Sequence, residues 1–170
     1  MAIIGDSIIK EIKGHLLTTN EEKVVVKSFS GATTKQMYHY AIPTLEMKPD
    51  NIIIHCGTND LKSNEDNDQV VADILNLAIY CYEKNKTPVI ISSIVHREDQ
   101  HKDRIKTINE KLKLECTERN IGFIEHDNIG KTHLNRSRLH YSEIMRSSRT
   151  LECFTNGSRT LQERLEKKRS

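Results

Sequence analysis

Tryptophan is absent from this 170-residue sequence, and glycine (7), proline (3) and aromatic residues (5%) are scarce. No internal repeat or low-complexity linker is visible, which excludes fibrous and linker-rich classes. The few cysteines are widely scattered without a CxxC pair: Cys56, Cys81, Cys116 and Cys153. We therefore expect reduced, packed thiols rather than a disulfide framework or a zinc cluster, and no metal site.

Long hydrophobic segments and an excess of charge of one sign are also missing. The longest apolar stretches are only a few residues, far short of the roughly 20 that a membrane helix needs, and no secretory signal pattern is visible. We therefore expect a cytoplasmic protein without a membrane span. With 26 basic and 24 acidic residues, the net charge of +2 is too balanced to indicate a nucleic acid or an anionic membrane as partner. The length suits one domain, and we expect a monomer.

Short β-branched runs alternate with longer amphipathic segments along the chain. The runs predict five strands, near 2–4, 23–27, 51–55, 88–94 and 121–125. The segments between them predict helices at 8–13, from Thr33-Thr34 to about Lys48, at 68–85 and at 103–119. This alternation indicates an α/β sandwich with a parallel sheet, in which functional residues gather at the carboxyl ends of the strands.

The first strand ends in Gly5-Asp6-Ser7, and a helix is predicted to start there. Unpaired N–H groups at a helix start would stabilise negative charge developing beside a serine hydroxyl, so Ser7 is a candidate nucleophile. The alternative is that Asp6 or Ser7 only caps the helix, since both are favoured N-cap residues. This tripeptide alone does not decide between the two.

The next two strands also end in special turns, at 28–33 and 57–60. A serine hydrolase needs donors aimed at the oxyanion, and this edge offers the backbone N–H groups of Ser7 and Gly31 and the side-chain amide of Asn59. Gly31 lacks a Cβ and so permits close approach. A base must then reach Ser7, and His140, which follows the fifth strand between Leu139 and Tyr141, is the candidate.

These blocks resemble, in the same order, the four that name the SGNH hydrolases, also called the GDSL lipase/esterase superfamily. Ser7, Gly31, Asn59 and His140 fall on the nucleophile, glycine, asparagine and histidine blocks, and the resemblance covers residues 1–142. It implies a flavodoxin-like three-layer sandwich with a five-stranded parallel sheet. It also implies hydrolysis of a small carboxylic ester through an acyl-serine intermediate, without metal or other cofactor. The segments 49–55 and 133–137 further resemble SGNH-type domains associated with retrotransposon-derived proteins of invertebrates.

The histidine block departs from the family pattern. Active members carry an Asp three residues before the histidine, where this chain has Ser137. A serine hydroxyl can orient His140 but brings no charge, so the resemblance implies a weak esterase with a Ser–His dyad.

The last part of the chain motivates an alternative function. Residues 143–170 form a divergent C-terminal segment with a predicted basic helical tail from 160 to 168. Together with Ser137, this tail suggests a catalytically inactive scaffold that binds RNA or protein. Against that reading, the tail interleaves Glu163 and Glu166 with its basic residues and has no aromatic residue for base stacking.

Overall fold

A computed structural model describes residues 1–63 and 65–126, and these residues form a five-stranded sheet. All the strand pairs are parallel, and the strand order is β2-β1-β3-β4-β5. The strands are β1 (Ala2–Gly5), β2 (Val25–Ser28), β3 (Ile52–His55), β4 (Val89–Ser92) and β5 (Gly122–Ile124). The predicted α/β class and the five parallel strands are confirmed, and each strand lies within two residues of its predicted bounds. This order is that of a doubly wound, flavodoxin-like sheet, whose strand order reverses beside β1.

Helices cover both faces of the sheet. They are α1 (Gly14–Leu17), α2 (Thr34–Glu46), α3 (Asn67–Asn85) and α4 (Lys102–Arg119). The apolar stripes of α2, α3 and α4 pack on one face, which includes Ile4, Ile54 and Ile91. The other face includes Ile3 and Ile53, and it packs against the segment around α1. Because side chains alternate along a strand, near-continuous isoleucine runs supply both cores, as a parallel sheet covered on two sides requires.

The prediction of a helix at residues 8–13 is wrong. The structure has a 3₁₀ turn at Ser7–Ile9, and α1 begins only at Gly14. Ile8, Ile9 and Ile12 are all buried, so this stretch serves packing, and β-branched residues weaken a helix of this length. A single 3₁₀ turn has no sizeable macrodipole, so any stabilisation of negative charge at Ser7 depends on individual N–H groups.

Candidate functional site

The turn that carries Ser7 is held on three sides. The Asp6 N–H donates to the carbonyl oxygen of His55 (3.1 Å), and the Ser28 hydroxyl donates to the Asp6 carbonyl oxygen (2.9 Å). The Asp6 carboxylate accepts from the Ile8 N–H (2.9 Å) and thereby caps the 3₁₀ turn. Asp6 is completely buried. The structure thus assigns the capping role to Asp6, and capping does not account for Ser7.

Gly5, two residues before Ser7, is required by close packing. A Cβ built on Gly5 would lie 2.3 Å from the carbonyl oxygen of His55, its ladder partner on β3. No side chain fits at that distance, so β1 and β3 come together tightly where the Ser7 turn begins.

Gly31 lies in the turn after β2, and its backbone conformation is one that favours glycine. Its φ is +80°, in the left-handed region that favours glycine, while none of the described atoms lies within 4 Å of a Cβ built there. The backbone conformation, not crowding within the described residues, therefore requires glycine. The Ala32 N–H donates to the Phe29 carbonyl oxygen (3.1 Å) and closes the turn.

The turn after β3 is hydrogen-bonded to the turn after β2. The Asn59 side-chain amide donates to the carbonyl oxygen of Ala32 (3.0 Å), next to Gly31. The buried Asp60 carboxylate accepts from the Thr34 N–H (3.0 and 3.1 Å) and from the Thr34 hydroxyl (3.1 Å), at the start of α2. Burial raises the pKa of the Asp60 carboxyl, and the hydrogen bonds from Thr34 oppose that rise.

The loop that follows Asn59 is fastened to α4 by one guanidinium group. Arg104 donates to the carbonyl oxygens of Leu61 (2.9 Å) and Glu65 and to the side chain of Asn67 (2.9 Å). These planar, charge-assisted bonds hold the loop in one place beside the carboxyl edge of the sheet.

Three predicted site residues, Ser7, Gly31 and Asn59, thus follow the carboxyl ends of β1, β2 and β3, respectively, and these strands are neighbours in the sheet. His140 and Ser137 lie outside the described residues, and so does the whole segment 143–170. Their roles remain predictions from the sequence.

Sequence reasoning missed a buried chain of polar side chains on the α1 side of the sheet. The Ser92 hydroxyl lies 2.8 Å from His55 Nδ1 and 2.7 Å from His126 Nε2. His55, Ser92 and His126 are 0%, 1% and 7% exposed. Burial lowers the pKa of His55 to about 4 and that of His126, which also faces the His55 ring, to about 3. Both rings are therefore neutral at pH 7.

The sequence contains a pattern that is shared by these three polar side chains. Each of the three residues stands two positions after an isoleucine of the same face: Ile53, Ile90 and Ile124. The period of two along a strand thus places all three on one face of the sheet. In register, Ser92 is paired with Ile124, so His126 lies two residues further along than Ser92. His55 is buried at the end of β3, and His126, just past β5, is buried as well.

Elsewhere the described residues show little that suggests a second centre. Within 1–63 and 65–126, no three His, Cys, Asp or Glu side chains are grouped to hold a metal ion. None of the helices in these ranges has the length and apolar composition to cross a membrane.

A cavity of about 500 Å³ between the ends of α3 and α4 is lined by residues that include Tyr82, Pro88 and Ile121. Pro88 and Ile121 directly precede β4 and β5, so this cavity lies at the amino ends of these strands, opposite the edge that carries Ser7.

Comparison with known proteins adds a family and a set of similar folds. The sequence model of the GDSL-like lipase/acylhydrolase family matches residues 3–147. A GDSL-like lipase from Bacteroides thetaiotaomicron VPI-5482 is similar in structure, with a TM-score of 0.70 and 17% identity over 99% of this chain and 88% of that one. A lipase/acylhydrolase from Enterococcus faecalis matches with a TM-score of 0.70 and 19% identity over 95% and 94% of the two chains. The acetyl xylan esterase AlAXEase matches with a TM-score of 0.77 and 14% identity over 92% of this chain and 98% of that one. A comparison with curated proteins found no match.

Proposed function

The chain belongs to the GDSL-like lipase/acylhydrolase family and has the SGNH hydrolase fold, and from this membership we propose that it is a serine esterase acting on carboxylic esters. One observation carries the proposal: hydrogen bonds tie three blocks that are far apart in sequence together at one sheet edge. Ser28 bonds the turn before Ser7, and Asn59 bonds the turn that contains Gly31. A hydrolase acting through an oxyanion needs such fixed donors around its nucleophile.

In the proposed mechanism, the Ser7 hydroxyl attacks the ester carbonyl carbon while His140 accepts its proton. The tetrahedral oxyanion is stabilised by the N–H groups of Ser7 and Gly31 and by the Asn59 amide. One N–H of that amide donates to Ala32, and an amide carries a second for the oxyanion. His140 then gives its proton to the leaving alcohol. In the second step His140 takes a proton from water, the water oxygen attacks the acyl carbon, and His140 returns the proton to the Ser7 oxygen as the acid leaves.

The expected rate is low because Ser137 stands where active family members carry the triad Asp. Loss of that carboxylate typically costs on the order of 10⁴ in turnover, or about 5 to 6 kcal/mol of barrier, while the oxyanion donors keep their contribution. The proposal is therefore a weak Ser–His dyad esterase.

The remaining features of the proposal come from the sequence. We propose a small ester as substrate, no cofactor, and a cytoplasmic monomer. The resemblance to retrotransposon-associated domains stays a prediction.

Covalent labelling of Ser7 tests the proposal. A fluorophosphonate probe bonds to an activated serine oxygen with loss of fluoride, so the wild type is expected to take one label and to hydrolyse p-nitrophenyl acetate. Ser7→Ala should abolish both. Ser30→Ala, which changes an exposed serine on the same edge, is the matched control and should retain both. A wild type that takes no label and turns over no faster than Ser7→Ala would overturn the esterase proposal.

Ser92 provides a further control because its hydroxyl also lies beside an imidazole. Peptide mapping of the labelled protein should place the probe on Ser7, since Ser92 is 1% exposed. Labelling that survives Ser7→Ala and disappears in Ser92→Ala would move the nucleophile to Ser92.

The alternative is a catalytically inactive scaffold that binds RNA or protein, and it is favoured by Ser137 and by the basic residues of the tail: Arg159, Arg164, Lys167, Lys168 and Arg169. Salt-sensitive retention of RNA by a protein that takes no fluorophosphonate label would support it. Absence of binding at low ionic strength would exclude its RNA form.

A further inference from the structure

The backbone ladder between β3 and β4 ends before the edge that carries the candidate site. Ile54 pairs with Ile91, and this is the last pair of that ladder, whereas on the other side of β3 the ladder continues to Gly5 and His55. Beyond Ile54 the connection from β3 to β4 is made by side chains, because His55 Nδ1 lies 2.8 Å from the Ser92 hydroxyl.

The same occurs between β4 and β5. The ladder ends at Ser92 and Ile124, with the Ser93 N–H donating to the Ile124 carbonyl oxygen (2.9 Å). Beyond this bond the connection continues through the side chains of Ser92 and Ser93. The Ser92 hydroxyl lies 2.7 Å from His126 Nε2, and the Ser93 hydroxyl accepts from the His126 N–H (3.2 Å). Side-chain hydrogen bonds thus extend the sheet past its backbone pairing at the carboxyl edge.

His55 connects this chain of side chains to the proposed site. Its carbonyl oxygen accepts from the Asp6 N–H (3.1 Å), and Gly5 packs directly against that carbonyl group. Ser7 is the next residue after Asp6, and Asn59 follows His55 by four positions. A lateral shift of His55 would therefore move both the nucleophile turn and the start of the oxyanion turn.

Building on the proposed function, we propose that the His55–Ser92–His126 chain is a positioning relay that fixes Ser7 and Asn59 relative to each other. Directional hydrogen bonds restrict the strand ends more tightly than apolar contacts would at the same depth. None of the three side chains needs to touch the substrate for this role. A displacement of about 1 Å at a reacting group can cost on the order of 10² in rate.

The relay imposes a condition on the two rings that does not depend on activity. A hydroxyl has one proton and two acceptor lone pairs, so at most one of the two rings accepts from Ser92, and we expect the other ring to donate to it. His55 uses Nδ1 and His126 uses Nε2. If His55 donates, both rings carry their proton on Nδ1; if His126 donates, both carry it on Nε2. In both of these arrangements the two rings are the same tautomer. The pair that the two hydrogen bonds exclude carries its protons on His55 Nε2 and His126 Nδ1, because two acceptors would then face the single Ser92 proton.

Turnover per labelled site tests the positioning role in the full chain. Ser92→Ala removes both hydrogen bonds, and we expect kcat per fluorophosphonate-labelled site to fall at least about tenfold, with KM changed less than about twofold. The matched control is Thr87→Ala, which deletes another buried hydroxyl, bonded to the Pro49 carbonyl oxygen (3.0 Å) just before β4 at the opposite edge. It should leave kcat per labelled site unchanged. An unchanged kcat in Ser92→Ala, or an equal fall in both variants, would overturn the inference.

Side-chain ¹⁵N NMR of the wild type keeps the inference falsifiable if Ser92→Ala does not fold. We expect His55 and His126 to be neutral and of one tautomer at pH 7, with Ser92 donating to one of them. A pair protonated on His55 Nε2 and His126 Nδ1, which leaves two acceptors facing one Ser92 proton, would overturn the relay. A wild type without labelling or turnover would instead overturn the proposed function, and the positioning role with it, while the NMR result would still report on the hydrogen-bonded chain.

Discussion

Lowering the pH from about 7 to about 5 should destabilise the folded protein by about 4 kcal/mol through His55 and His126. Both rings are buried, and burial lowers the pKa of His55 to about 4 and that of His126 to about 3. The ordinary value of 6.5 applies to the unfolded chain. Below that value the unfolded state takes up protons that the folded state does not, so the free energy of unfolding must fall as the pH falls.

The magnitude follows from the width of this pH window. Each neutral buried imidazole costs about 1.4 kcal/mol per pH unit across the roughly 1.5 units between its ordinary pKa and about pH 5. Two rings together give about 4 kcal/mol, a large share of the 5 to 15 kcal/mol that is typical of a whole domain. Asp60 acts in the opposite direction, since burial raises its pKa and removes stability as the pH rises.

Urea unfolding at a series of pH values measures this effect. Far-UV circular dichroism is the suitable signal because the chain contains no tryptophan. His126→Asn removes one titrating group and should reduce the pH-dependent loss to about half. His15→Asn, which changes an exposed histidine, is the matched control and should leave the slope unaltered.

Two results would refute this reasoning. The first is a loss smaller than about 1 kcal/mol between the two pH values, which would mean that the rings are solvated or charged in the folded state. The second is a slope that persists in His126→Asn at its wild-type value. In that case other groups would be responsible for the acid sensitivity.

Four further substitutions give distinct outcomes. Gly5→Ala should cost about 3 kcal/mol or more in urea unfolding, because the new Cβ would lie 2.3 Å from the His55 carbonyl oxygen. Gly31→Ala should cost only about 1 kcal/mol of unfolding free energy, because the φ of this residue is positive. Equal losses of stability in Gly5→Ala and Gly31→Ala would contradict the packing argument. Asn59→Ala should lower kcat for p-nitrophenyl acetate by about 10² to 10³ with KM little changed, and a pure KM effect would remove Asn59 from the oxyanion site. Ser137→Asp should raise kcat at least about tenfold, and an unchanged rate would show that the missing carboxylate is not what limits hydrolysis.

The parts of the fold that were predictable from the sequence are those with a local signal, such as a run of one residue type or a helix cap. The isoleucine runs of β1 and β3 are apolar on both faces, which only a covered parallel strand requires. Helix α2 starts where the sequence predicts it, because Thr33 and Gln36 form a complete capping box. The prediction of a helix after Ser7 was wrong because the isoleucines there match a helical spacing as well as they match a buried irregular segment. Tertiary packing decided between these two structures.

The site itself depends on contacts that no local pattern specifies. Strand ends place Ser7, Gly31 and Asn59 at one edge, and topology rules alone predict that much. What holds their turns is a set of single hydrogen bonds between loops, such as Ser28 to Asp6. Each bond needs two loops to meet in one register, and a register emerges only after the sheet has assembled. The polar chain of His55, Ser92 and His126 is the extreme case, because its hydrogen-bonded pairs are 37 and 34 residues apart and each residue alone resembles an ordinary strand-end residue. A sequence search for this device must therefore compare same-face positions near the ends of adjacent parallel strands rather than neighbours along the chain.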